Sequence, residues 1–152
     1  MKILYVIIMM LFLGMVSCSE DNLKGYSSSN CIQFDKLSKD STVFSFAYDE
    51  TLESGTVALK LVMISPLVDR DRKYNVKFLQ DESSAQAGVD FEMPAEEQVI
   101  AANDSVAYLN VIVKRNKALK GSAIAVFEVQ ASDDFMPGIE ANRKGRILSR
   151  IN

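Results

Sequence analysis

The sequence predicts an all-β domain folded as an antiparallel sandwich. Beyond Cys31 the apolar residues recur at every second position, which is the period of half-buried strands. Turn-forming residues divide these runs into short pieces, and no helical period appears outside the N-terminal segment.

The strands follow in order. Ile32 with Phe34, then Phe44 with Phe46, share one parity. The clearest run is Val57-Ala58-Leu59-Lys60-Leu61-Val62-Met63, where Val57, Leu59, Leu61 and Met63 face inward. Tyr74, Val76 and Phe78 face inward while Asn75 and Lys77 face outward. Ala107, Leu109, Val111 and Val113 form an inward row with Asn110 and Lys114 outside, and Ala125, Phe127 and Val129 form another. The turn signals between them are Glu53-Ser54-Gly55, Ser65-Pro66, Ala87-Gly88, Asn103-Asp104-Ser105 and Lys120-Gly121-Ser122.

The N-terminus reads differently. Met1-Lys2 is positively charged, and Ile3 to Val16 is almost unbroken apolar sequence. Such a run has the size of a secretory signal and falls short of the ~20 residues that span a bilayer. Met15-Val16-Ser17-Cys18 resembles a relaxed bacterial lipobox, with Met15 and Val16 in place of the usual Leu and small residue. The resemblance implies removal of residues 1–17 and lipidation of Cys18. The alternatives are that Cys18 merely lies near a signal-peptidase site, or pairs with Cys31, which a lipidated thiol could not do. Ser19-Glu20-Asp21 resembles the signal that sends some lipoproteins to the outer face of the outer membrane; the plainer reading is a solvated acidic linker. Residues 18–30 then form the anchor and a polar tether, and residues 31–152 the sandwich.

Composition narrows the function. The net charge is -3 and the basic clusters are short, so there is no field to attract nucleic acid. The chain has no histidine, the usual general base beside a Ser or Cys nucleophile and the commonest zinc ligand. It also has no tryptophan to stack on a sugar ring.

Ala85 to Arg115 resembles a Calx-beta segment. Its marks are the turn Gly88-Val89-Asp90-Phe91, the short strand at Val99-Ile100, the turn at Asn103-Asp104 and the long alternating strand Val106 to Val113. Where that pattern usually has glycine this chain has Asn103, which also accepts left-handed backbone. The resemblance implies an immunoglobulin-like, Calx-beta-like sandwich. From Cys18 onward, with Ser45 to Tyr48, Asp69 to Val76 and Asp133 to Gly138, the chain is similar to an uncharacterised family of bacterial surface lipoproteins associated with Sus-type outer-membrane importers. Relatives usually continue past Asn152, so the domain is expected to lack its last strand or a C-terminal segment, with the strand-like Ile147 to Ile151 left at an open sheet edge that invites association.

Some Calx-beta domains bind calcium, which needs six to eight converging oxygens. The acid pairs here are Asp69 and Asp71, Asp81 and Glu82, Asp90 and Glu92, Glu96 and Glu97, and Asp133 and Asp134. Arg70 and Arg72 interleave the first pair, no EF-hand spacing occurs, and the acids read as solvated turn residues. A glycosidase would need two of them about 5 to 10 Å apart across a sugar. Asp40-Ser41-Thr42 and Asp104-Ser105-Val106 resemble bacterial O-glycosylation acceptors at Ser41 and Ser105; the plainer reading is a serine turn at each strand entrance. The expectation is a non-enzymatic, outer-membrane, surface-exposed lipoprotein without metal or cofactor, accessory to nutrient (glycan or peptide) uptake. The alternative is a structural or adhesive surface protein engaging others through loops or sheet edges.

Overall fold

The computed structural model describes residues 30–151. The signal, Cys18, and Ser19, Glu20 and Asp21 lie outside the described residues. Nine strands form among the described residues: β1 (Cys31–Phe34), β2 (Thr42–Ser45), β3 (Ser54–Ile64), β4 (Arg72–Phe78), β5 (Glu97–Ile100), β6 (Val106–Lys114), β7 (Ser122–Gln130), β8 (Met136–Pro137) and β9 (Lys144–Arg150). One short helix, α1 (Lys36–Asp40), follows β1; the Asp35 side chain caps it by accepting from the Ser38 amide.

The strands make a sandwich of two sheets, ordered β6-β3-β1-β8 and β2-β9-β7-β4-β5. Pairing is antiparallel except that β8 joins β1 and β2 joins β9 in parallel. The alternation expected of the inward rows is observed. Ile32, Phe34, Leu59, Leu61, Leu109 and Val111 face Tyr74, Val76, Phe127, Val129 and Ile147, all 4% exposed or less. Phe44 and Met63, expected inside, are half-buried and pack against this core. Phe78, Phe91 and Phe127 form an aromatic cluster, with centroids 4.9 to 5.7 Å apart.

The last strand departs from expectation. β9 is not an edge: it lies between β2 and β7, pairing with β7 over its length and with β2 from Ile147 to Arg150. Its interior position comes from β2, more than a hundred residues upstream in the register Thr42↔Ile147, which local periodicity cannot show. Cys31 is a free, half-buried thiol at the start of β1.

Glycine has two uses. Gly88 (φ 82°) and Gly121 (φ 104°) make left-handed turns, and Asn103 (φ 62°) does the same as expected. Gly55, assigned to a turn by its neighbours, lies instead within β3, where the Phe44 ring occupies the space a side chain would fill. At Gly145 in β9 a Cβ would come within 2.7 Å of the Phe34 ring, and Phe34 is fully buried. Gly145→Ala is therefore expected to cost about 2 kcal/mol through overpacking, seen as a lower urea midpoint with unchanged slope. An unchanged midpoint would show that the two sheets can separate freely at this point.

Candidate functional site

The two ends of the sandwich differ. Ser54 and Ile64 close opposite ends of β3, about 33 Å apart at strand rise. The Ile64 end is where the described chain enters: Cys31 pairs with Ile64, and the Ser65 hydroxyl donates to Asn30 Oδ1 at 2.9 Å. The Ser54 end carries the loops after β2 and β6 and also Ile151, whose amide donates to Gly121 O.

Each end is organised by one arginine. At the entry end Arg72 is 1% exposed. Its Nη1 donates to Ser65 Oγ at 2.8 Å and to Pro66 O at 3.3 Å, its Nη2 to Asp104 O at 3.4 Å, and its guanidinium lies 4.9 Å from the Phe135 ring centre. Nε is buried without a partner. At the far end Arg115 Nε donates to Leu52 O and Nη2 to Phe46 O, both at 2.7 Å, and Nη2 also to Asp49 O; the Phe46 ring lies beneath it. These contacts hold the loop between β2 and β3 in shape. Both arginines sit on the inward rows, one step beyond the apolar residues of β4 and β6. That parity was the available signal, although next to Asp69 and Asp71 Arg72 reads only as an interleaved charge. A long side chain there buries its stem and turns its head to loop carbonyls.

The far end holds a groove of about 560 Å³ lined by Phe46, Ala47, Glu50, Arg115, Lys117 and Ile151. Tyr48, beside it in sequence, is 93% exposed. Lys117 reaches Glu53 at 3.0 Å. Asp49 accepts from both the hydroxyl and the amide of Thr51, which lower its carboxyl pKa. The groove thus offers an anion at Glu50, a cation at Lys117 and a shaped main chain, a combination suited to polar recognition.

The residues singled out from sequence are scattered. Ser41 closes α1 and Ser105 precedes β6; both are exposed, and they lie in different parts of the fold. Of the acids, Asp90 is not a solvated turn residue. It is 4% exposed, with Oδ2 accepting from the Gln86 amide at 2.7 Å and Oδ1 from Asn116 Nδ2 at 2.8 Å, so the Gly88 to Phe91 turn is closed from inside. Asp134 is also engaged: it pairs with Arg70 at 2.6 Å and accepts from the Lys73 amide at 2.8 Å, contacts that lower its carboxyl pKa. Asp71 accepts from the Ala102 amide at 3.0 Å. These acids tie loops together. Among the described residues no three of His, Cys, Asp and Glu gather where they could hold a metal.

Two facing sheets, closed at each end by an arginine-pinned set of loops, define a Calx-beta-like sandwich domain. The chain belongs to the DUF4843 family, a domain of unknown function, which matches residues 24–150. Among solved structures it resembles the apo form of the Calx CBD1 domain, with TM-score 0.59, 8% identity, and coverage of 82% of this chain and 98% of that one. It also resembles a candidate carbohydrate-binding protein of Bacteroides ovatus ATCC 8483, with TM-score 0.58, 10% identity and coverage of 80% and 37%. A third is a two-domain protein of unknown function from Bacteroides fragilis NCTC 9343, with TM-score 0.60, 10% identity and coverage of 90% and 51%. The chain therefore spans about a third and about half of those two Bacteroides proteins. A search of curated proteins returns no match.

Proposed function

We propose that this chain is a non-enzymatic, surface-exposed lipoprotein that serves as an accessory binding or scaffolding module of an outer-membrane nutrient-uptake system handling glycans or peptides. The observation that carries this reading is the polarity of the sandwich. The described chain enters at Asn30, beside Ser65, while the groove of Glu50, Arg115 and Lys117 opens at the other end. A domain tethered through residues 18–30, which reach at most roughly 40 Å when extended, presents that groove away from the membrane. The fold shared with a candidate carbohydrate-binding protein supports a binding role. Strand addition, the adhesive alternative, has one long edge to use: β2 and β5 have four residues each and β8 two, whereas β6 has nine, covered at its Ile112 to Lys114 end, where the Glu92 amide donates to Ile112 O and the Lys114 amide to Asp90 O.

Cys18 is the anchor of this reading. Labelled palmitate supplied to a bacterial host expressing the full chain is expected to label the parent and not Cys18→Ala. Equal labelling of the two would remove the anchor, and with it the outward orientation.

A further inference from the structure

We infer that the outer face of the five-stranded sheet, where β7, β4 and β5 run side by side, is a binding site for a neutral oligosaccharide. This rests on the reading of the chain as a binding module, and it places the ligand on a different surface from the end groove. The register sets Gln130, Asn75 and Glu97 abreast on three adjacent strands, all pointing away from the core. Lys73 and Lys77 stand on either side of Asn75 along β4. Two adjoining hollows of about 340 and 230 Å³ share Asn75 and Glu97, so the row lies in one shallow trough. At a strand spacing of about 4.8 Å the row spans about 10 Å, the length of a disaccharide.

The chemistry of the row selects the ligand. Each member is held by a neighbour: Gln130 Nε2 donates to Glu128 at 2.8 Å, Asn75 Nδ2 to Ala131 O at 3.3 Å, and Glu97 pairs with Lys73 at 2.9 Å. One N–H of each amide is thereby committed, which orients the amide planes and leaves an oxygen acceptor and a second N–H donor on each beside the two ammonium groups. A row ordered in advance loses less freedom on binding. The Glu97 carboxylate, by hydrogen bond and charge, raises the Lys73 pKa above the usual lysine value. A hydroxyl can donate to an amide or carboxylate oxygen while accepting from an ammonium, and vicinal hydroxyls of a sugar do both at once. The Lys73–Glu97 pair is more than half exposed, so a ligand displaces it at little cost. Of the residues lining the hollows, the carboxylates of Glu96, Glu97 and Asp133 outnumber the ammoniums of Lys73 and Lys77 and disfavour an anion. Val99, 58% exposed, is the apolar residue beside Lys73 and gives a ring face a small contact.

The test is a nitrogen-15 NMR titration of the full chain in detergent with maltohexaose, xylohexaose and mannohexaose, and with an acidic oligogalacturonate for comparison. At least one neutral hexaose is expected to shift the side-chain amide signals of Asn75 and Gln130. Asn75→Ala should weaken that binding about tenfold with its melting temperature unchanged, whereas Lys117→Ala should leave it intact. Shifts confined to the groove at Glu50 and Lys117 would overturn the trough and leave the binding-module reading standing. A stronger response to the oligogalacturonate, or no response to any neutral hexaose, would overturn the ligand class.

Discussion

Arg72→Ala is expected to destabilise the domain by about 3 to 4 kcal/mol, the largest effect of any single exchange considered for this chain. Two losses add. The side chain is 1% exposed and stacks on Phe135, so truncation opens a cavity beneath that ring. The guanidinium also supplies donors to Ser65 Oγ, Pro66 O and Asp104 O, which belong to two different loops. At about 4 °C per kcal/mol for a domain of this size, the melting temperature should fall by about 12 to 16 °C. Arg72→Met separates the two contributions, because it keeps the apolar stem and removes the donors; about half the loss is expected. A fall of only a degree or two for Arg72→Ala would mean that the unpartnered Nε already offsets what the other nitrogens contribute.

Arg115→Ala is expected to cost about 3 kcal/mol at the opposite end. Its guanidinium bonds to the carbonyls of Phe46, Asp49 and Leu52, and its own amide donates to Glu53 O. The amide survives the substitution and the side-chain bonds do not. The loss should therefore be local: amide hydrogen exchange should quicken between Phe46 and Glu53 while β3 and β6 keep their protection. Arg115→Lys should recover little, because one ammonium cannot span carbonyls contacted through both Nε and Nη2. Uniform loss of protection across the sandwich would contradict the view that Arg115 shapes one loop.

Much of this architecture was legible because a sheet writes itself into sequence with a period of two. The inward rows from Val57, Tyr74, Ala107 and Ala125 all face the core, and Asn103 takes the left-handed conformation read from its place in the turn. What escaped reading depends on partners distant in sequence. Gly55 looked like a turn residue, yet its smallness makes room for Phe44, contributed by another strand. Val126 has outward parity in β7 but is 2% exposed, because the chain after β4 passes alongside: the Leu79 amide donates to its carbonyl and Ser83 Oγ accepts from its amide.

The candidate sites were harder still. Asn75 and Lys77 were legible only as outward polar residues of one strand. Gln130 and Glu97 become their neighbours through register, and no local pattern carries register between strands so far apart. The end groove depends on Arg115 drawing a loop into shape from more than sixty residues away. Both arginines could have been recognised as charged residues at inward parity just past an apolar row.

The proposed function has the domain held at the cell surface by its N-terminus with the Arg115 end outward. A membrane-impermeant maleimide applied to intact cells expressing the full-length Glu50→Cys variant tests it most directly, with the parent as the control for Cys31. Glu50 is exposed at the rim of the end groove, so labelling of intact cells should match that of lysed cells and exceed the parent in both. Labelling that appears only after lysis would contradict the account.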